Sequence, residues 1–257
     1  MKNSGEMVSQ IKEDLVSLGV RSGGCLLVHS SMRSLGQVAG GPETVIQGLL
    51  SSLGPQGTLL LPALSYLTVN AVNPVFDVRN TPSCVGLISE YFRTRPGTYR
   101  SINPTHSISA FGAKAQELTC DHWKDGTPVG PHSPLRKLVN EKGQILMLGC
   151  GLRPNTSMHG VEELSVPPYL FSVNFQYKII LADGREESTI CRRHGFRGWE
   201  QRYDRIKDIM TNNSLREGAV LKAHSYLIEA ADLWEKAHER LLSDPLYFVD
   251  KITWGEK

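Results

Sequence analysis

Apolar residues recur along the first half of the chain in two rhythms. Met7, Val8, Ile11, Leu15 and Leu18 fall at helical spacing, and Gly19 stands where a left-handed cap would end that helix. The segments 25–29 (CLLVH), 58–64 (TLLLPAL) and 144–148 (QILML) are instead short, continuous apolar runs, as expected of buried strands. Between them the pattern predicts helices over 43–53, with Pro42 in the first turn, and over 83–93, 113–119 and 134–140. A strand is expected over 107–111. After Pro167-Pro168 the pattern changes: 175–181 alternates more strongly and runs into Asp183-Gly184, a hairpin signal. Helices are expected again over 198–210 and 225–242. Strands alternating with helices predict an α/β fold, a layered α/β/α domain with a partly parallel central sheet and a β-rich excursion in the C-terminal half. No repeat, low-complexity tract or linker interrupts the chain, so 1–257 reads as one domain.

Composition narrows the classes. At 257 residues with 40% hydrophobic content, the chain can bury a sizeable core. The 28 basic and 26 acidic residues leave a net charge of +2, which argues against a nucleic-acid binder. Five cysteines, none in a C-x-x-C pair, point to reduced thiols and a cytoplasmic setting rather than a disulfide framework or structural zinc. The first 20 residues carry Glu6, Lys12, Glu13 and Asp14 and no apolar core, so no signal peptide is expected, and no membrane span either.

Four segments hold candidate chemistry. In 149–164 (GCGLRPNTSMHGVEEL), a strand end and a glycine-rich turn lead to Asn155-Thr156-Ser157, each a good helix N-cap. His159 then falls in the first helical turn with Glu162 three residues on, on the same face. A carboxylate there can fix the imidazole tautomer and stabilise its protonated form, while the helix N-terminus favours the neutral ring. The same spacing also suits an ordinary surface ion pair. The second segment, His29-Ser30-Ser31-Met32-Arg33-Ser34-Leu35-Gly36, follows a buried strand, where open α/β sheets usually place ligands; a capped turn is the plainer reading. The third and fourth, around His106-Ser107 and His132-Ser133, offer polar lining. No acid stands near His106 or His132 at ligand spacing, and H-E-x-x-H is absent, so no metal is expected; a hydrolase built on His29, His106, His132 and His159 stays a rival reading. Dinucleotide, P-loop and G-x-S-x-G signatures are also missing.

Taken in order, LLVHSSMRSLGQVAGGPETVIQGLL, GTLLLPALSY, FDVRNTPSCVGLISEYFR, RSINPTHSISAFG, GPHSPLRKLVNEKGQILMLGCG and NTSMHGVEE resemble the motif set of the aminoglycoside 3-N-acetyltransferase family. The resemblance spans 26–163, within the 1–165 part that carries the motifs, and fades in the divergent 166–257 part. It implies a fold unlike the common N-acetyltransferase fold, acetyl-CoA as co-substrate, and direct transfer to an amine. His159 matches the family's general base and Glu162 the glutamate that orients it. Ser30, Ser31, Ser34, Leu35 and Gly36 match the stretch lining the pantetheine and pyrophosphate path, with His29 as lining or support. Ser107 and Ser133 match positions facing the same cofactor. Tyr66, Asp77 and Glu163 are the candidates on the acceptor side. The implied partner is a small-molecule amine, with no nucleic acid or membrane; the oligomeric state is left open.

One departure bears on the acceptor. The resemblance implies a long acidic segment after the second strand, yet 65–79 (SYLTVNAVNPVFDVR) is short and holds one acid, Asp77. Glu163, Glu186, Glu187 or Glu200 are the acids that can compensate. An aminoglycoside, another small amine, and a CoA-binding protein without catalysis all remain open at this point.

Overall fold

The computed structural model describes residues 2–252. In chain order its elements are α1 (Ser4–Leu18), β1 (Cys25–Ser30), α2 (Gly41–Leu53), β2 (Thr58–Pro62), β3 (Val75–Asp77), α3 (Leu87–Thr94), β4 (Tyr99–Arg100), β5 (Ile108–Gly112) and α4 (Ala115–Thr119). There follow α5 (Pro134–Asn140), β6 (Gln144–Leu148), α6 (Met158–Ser165), β7 (Phe171–Ile180), β8 (Glu186–His194), β9 (Trp199–Gln201), β10 (Leu215–Val220), β11 (Ala223–Glu229), α7 (Ala230–Ser243) and β12 (Val249–Lys251).

Seven strands form the main sheet in the order β10-β11-β6-β1-β2-β5-β4. The three apolar runs make its parallel centre, β6-β1-β2, and antiparallel strands complete both sides. Each central strand serves two cores by alternation. Leu26 and Val28 of β1, Leu59 and Leu61 of β2, and Leu146 and Leu148 of β6 pack with Ile11, Ile46, Leu49 and Phe92 from α1, α2 and α3. Leu27, Leu60, Ile145 and Met147 point the other way, into Leu118, Leu138, Leu233 and Trp234 from α4, α5 and α7. That two-sided burial is why these runs read as continuous rather than alternating. The expected α/β/α layering with a partly parallel sheet is therefore observed. The β-rich excursion is a second sheet, β3-β7-β8, with its own small core around Phe76, Tyr177 and Ile179. Among the described residues no helix is long and apolar enough to cross a membrane.

Three expected helices differ. The one over 83–93 starts only at Leu87, because Gly86 sits at φ 111° and the Ser83 amide is spent on the Glu90 carboxylate at 2.7 Å. The expected helix over 198–210 is β9 followed by a 3-10 turn, Tyr203–Asp208; residues 199–201 pair with β12, a partner 50 residues away. The expected helix over 225–242 begins at Ala230, because Ser225–Glu229 belong to β11, which hydrogen-bonds to β6 and β10. In the last two, long-range pairing overrides local helical spacing.

Candidate active site

The carboxyl ends of β1, β2 and β6 lie along one edge of the sheet, because the three are parallel and in register. A cleft of about 440 Å³ opens there, lined by His29 and Ser30 from β1, Pro62 at the end of β2 and Leu64 after it, and Cys150 and 153–156 after β6. This is where open α/β sheets hold ligands. His159 of α6, Tyr66 and His106 complete one wall, and Arg193, His194, Phe196, Gln201 and Tyr203 from the second half close the other.

His159 is held by a buried network. Glu162, fully buried, accepts from the Tyr203 hydroxyl at 2.8 Å and from the Tyr169 hydroxyl at 2.9 Å. His159 Nδ1 lies 3.0 Å from the Tyr203 oxygen and 3.3 Å from Glu162 Oε2. Tyr203 has one proton, and it goes to the carboxylate, so His159 Nδ1 must donate to the tyrosine oxygen and to Glu162. That fixes the tautomer: the proton is on Nδ1 and the lone pair on Nε2. Burial, and then the Glu162 charge, hold both tyrosines far above their ordinary pKa, so they remain donors. The i, i+3 spacing on α6 is thus a buried pair with two tyrosine partners, not a surface pair.

The start of α6 is organised differently from expectation. Ser157, at the cap position, makes no capping bond; its hydroxyl instead accepts from Trp234 Nε1 at 2.7 Å. Asn155 accepts from the Ser157 amide at 3.1 Å, and the Thr156 amide donates to His29 Nε2 at 3.0 Å. Burial, with His159 nearby, pushes His29 down to about 3, so it is neutral and able to accept. His29 thereby ties the end of β1 to the turn that launches α6. Gly160 completes this support. A Cβ there would lie 2.1 Å from the Trp234 ring, so only glycine lets α6 lie this close to α7.

The other expected residues divide. Ser30 and Tyr66 line the cleft. Ser31, Ser34, Leu35 and Gly36 form the turn after β1: Ser34 donates to the Gly149 carbonyl and is hydrogen-bonded to the Ser31 hydroxyl, Leu35 is buried, and Gly36 packs against Lys222. Ser107 and Ser133 are not brought to the cleft. Both are fully buried; Ser107 donates to the Ala63 carbonyl and accepts from Arg100, and Ser133 caps α5. Asp77 is also absent from the lining, its carboxylate taken by the amides of Arg79 and Asn80 and the Asn80 side chain. Glu163 is buried under Thr127, the Val129 amide and His194 Nε2, and burial raises its pKa. The compensating acids fare no better: Glu186 pairs with Lys178, Glu187 lies near Arg185, and Glu200 pairs with Arg153. None of them lines the cleft. His132 stands apart, bonded to Asp125, so the four-histidine set is not assembled. Instead His106 and His194 flank His159, with ring centroids at 5.5 and 5.0 Å.

The family model described as aminoglycoside 3-N-acetyltransferase matches residues 27–242. The chain belongs to the aminoglycoside 3-N-acetyltransferase family. A relative from Salmonella sp, aminoglycoside N(3)-acetyltransferase IV, is 33% identical over 94% of this chain and 89% of its own. Among solved structures, AAC-IIIb binary with CoASH superposes with a TM-score of 0.81 at 27% identity, covering 92% of this chain and 96% of that one. AAC-VIa bound to sisomicin superposes with a TM-score of 0.76 at 28% identity, covering 94% and 98%. As a member of the aminoglycoside 3-N-acetyltransferase family, the chain is an acetyltransferase with acetyl-CoA as co-substrate. The family match runs to residue 242, so the likeness continues well past residue 168, where the motifs read from the sequence fade. Tyr169, His194 and Tyr203 lie in that half, and no spacing in the sequence marks them.

Proposed function

We propose that this acetyltransferase uses His159 Nε2 as general base for direct transfer from acetyl-CoA to an amine. The observation that carries the reading is the Glu162–Tyr203–His159 network, which leaves the Nε2 lone pair as the one free nitrogen of a ring lining the cleft. Nitrogen attacks the thioester carbonyl and Nε2 takes the proton that the amine sheds; the tetrahedral intermediate then expels CoA thiolate, which leaves as the thiol on taking that proton back from Nε2. The imidazolium formed in between is stabilised by the buried carboxylate. A covalent acetyl-cysteine route is disfavoured. Cys150 lines the cleft, but burial pushes its thiol up to about 12, so it is not a thiolate at working pH. For the donor, Ser30 at the end of β1 and Cys150 and 153–156 after β6 line the cleft edge, beside the turn that follows β1. Acetyl-CoA is expected to raise the melting temperature in a concentration-dependent way, as a ligand of the native state must. Calorimetry at millimolar acetyl-CoA with neither heat nor thermal shift would sink the donor assignment.

For the acceptor, the family favours aminoglycosides, and the sisomicin-bound relative supports that class. The cleft's charge favours a weaker variant of it. Among the described residues its lining holds Arg153 and Arg193 and no carboxylate. Each ammonium group that leaves water without an acidic partner weakens binding. A small amine with one positive charge meets less opposition than a polyamine. We therefore expect a higher KM for a multiply charged aminoglycoside than for a monoamine of similar size, and little rise in KM with salt. A low-micromolar aminoglycoside KM that climbs steeply with salt would refute the charge argument.

A further inference from the structure

We propose that His106, His159 and His194 form a binding site for a single divalent transition metal of the zinc class, and that a filled site stops acetyl transfer. One nitrogen from each ring falls within 4.8 Å of the others. The hydrogen bonds say which nitrogens these are. His159 Nδ1 is committed to Tyr203 and Glu162, His194 Nε2 lies 2.8 Å from Glu163 Oε1, and His106 Nδ1 lies 2.8 Å from Thr105 Oγ1. His159 Nε2, His194 Nδ1 and His106 Nε2 are left to converge. The His194 nitrogen is an independent sign. Its side chain is 4% exposed, its Nε2 proton points at a carboxylate, and its Nδ1 lone pair is buried with no partner among the described residues. A buried acceptor with nothing to accept is costly, and a metal would satisfy it.

The surroundings have the form that metal-binding imidazoles need. The outer nitrogens of His159 and His194 face carboxylates, which set the tautomer and raise ligand basicity, and that of His106 faces the Thr105 hydroxyl, which can accept its proton and leave Nε2 free. Three imidazoles facing an open cleft make a tripod with a fourth position free, the arrangement of catalytic-type zinc sites. Bonds of about 2.1 Å require ligand nitrogens about 3.4 Å apart, so the rings must close by roughly an ångström. Imidazole selects zinc, cobalt, nickel and copper over magnesium and calcium. The antagonism follows from electron counting and rests on the proposed role of His159. The metal bonds to the Nε2 lone pair that would otherwise accept the amine proton, and one lone pair cannot do both.

The test uses the whole chain after chelator treatment. Titration with Co²⁺ should develop the visible bands of a four-coordinate site at one metal per chain, and Zn²⁺ should displace it. His194→Ala and His106→Ala should each weaken Co²⁺ binding by more than about tenfold, and Glu163→Gln by a similar factor, while His132→Ala should not. X-ray absorption on the zinc-loaded wild-type chain reads the ligands without any substitution, and should count three imidazoles. A purely pale, six-coordinate Co²⁺ spectrum, or a zinc shell with fewer than three imidazoles, would overturn the site. Zinc should abolish acetyl transfer and chelator should restore it. Zinc bound by three imidazoles with acetyl transfer undiminished would overturn the antagonism and the base assignment together, leaving the metal site standing.

Discussion

His159→Ala is expected to lower kcat/KM for the best acceptor by roughly two to four orders of magnitude, the usual worth of general base catalysis. The fold should survive. The side chain is 10% exposed at the cleft wall, and its removal opens space toward solvent rather than a sealed cavity. CoA binding is expected to survive as well if the donor lies along the proposed cleft edge, since the turn after β1 makes its hydrogen bonds without the ring. The loss should fall on kcat, because the base acts as the proton leaves and adds little to ground-state affinity. Stopped turnover with an unchanged thermal shift by acetyl-CoA is the expected pair of results. Activity within a few-fold of wild type would remove His159 from the mechanism.

Glu162→Gln should be nearly as damaging, for a different reason. The wild-type carboxylate accepts from two tyrosines and from the imidazole, and has no proton to give. Glutamine keeps the shape but replaces one acceptor oxygen with a donor. If the amide nitrogen faces Tyr203, the phenol must turn and donate to His159 Nδ1. The imidazole proton then moves to Nε2, and the base is lost. If it faces Tyr169, that buried hydroxyl is stranded instead. Either way the imidazolium loses its countercharge. A fall in kcat of about a hundredfold or more is expected, together with a stability loss of about 1–3 kcal/mol from the stranded group. Denaturant titration measures the second and steady-state kinetics the first. Tyr169→Phe leaves the imidazole tautomer alone and should affect stability more than rate. Wild-type kcat in the Glu162→Gln enzyme would show that the carboxylate only fills space.

The legibility of this molecule divides by the range of the interactions. α5 and β6 were readable to the residue, and the ends of α1 and β1 to within one, because Gly19 caps α1 locally and two-sided burial marks β1 and β6. The His159–Glu162 pairing was readable for a similar reason: one helical turn brings residues three apart together whatever surrounds them. The six motifs were enough to place the family; they run along β1 and α2, β2, β3 and α3, β5, α5 and β6, and α6, and several of them carry residues that line the cleft.

What surrounds the pair was not local. Tyr203 reaches Glu162 across 41 residues, from a segment whose helical spacing concealed β9 and a 3-10 turn. His29 grips Thr156 across 127 residues. His194 joins His106 and His159 only because β8 returns antiparallel to β7 and ends beside α6. Ser107 and Ser133 show the converse. Their motif positions suggested a ligand, and close packing gave their hydroxyls to Ala63 and to the first turn of α5. Local sequence specified the central strands, the cap of α1 and the acid–imidazole pair, because these depend on periodicity and on neighbours within one turn. Which lone pair His159 presents, which acids are kept out of the cleft and which histidines converge there were decided by tertiary structure, because each depends on a hydrogen bond or ring contact between residues that only the folded sheet brings within reach.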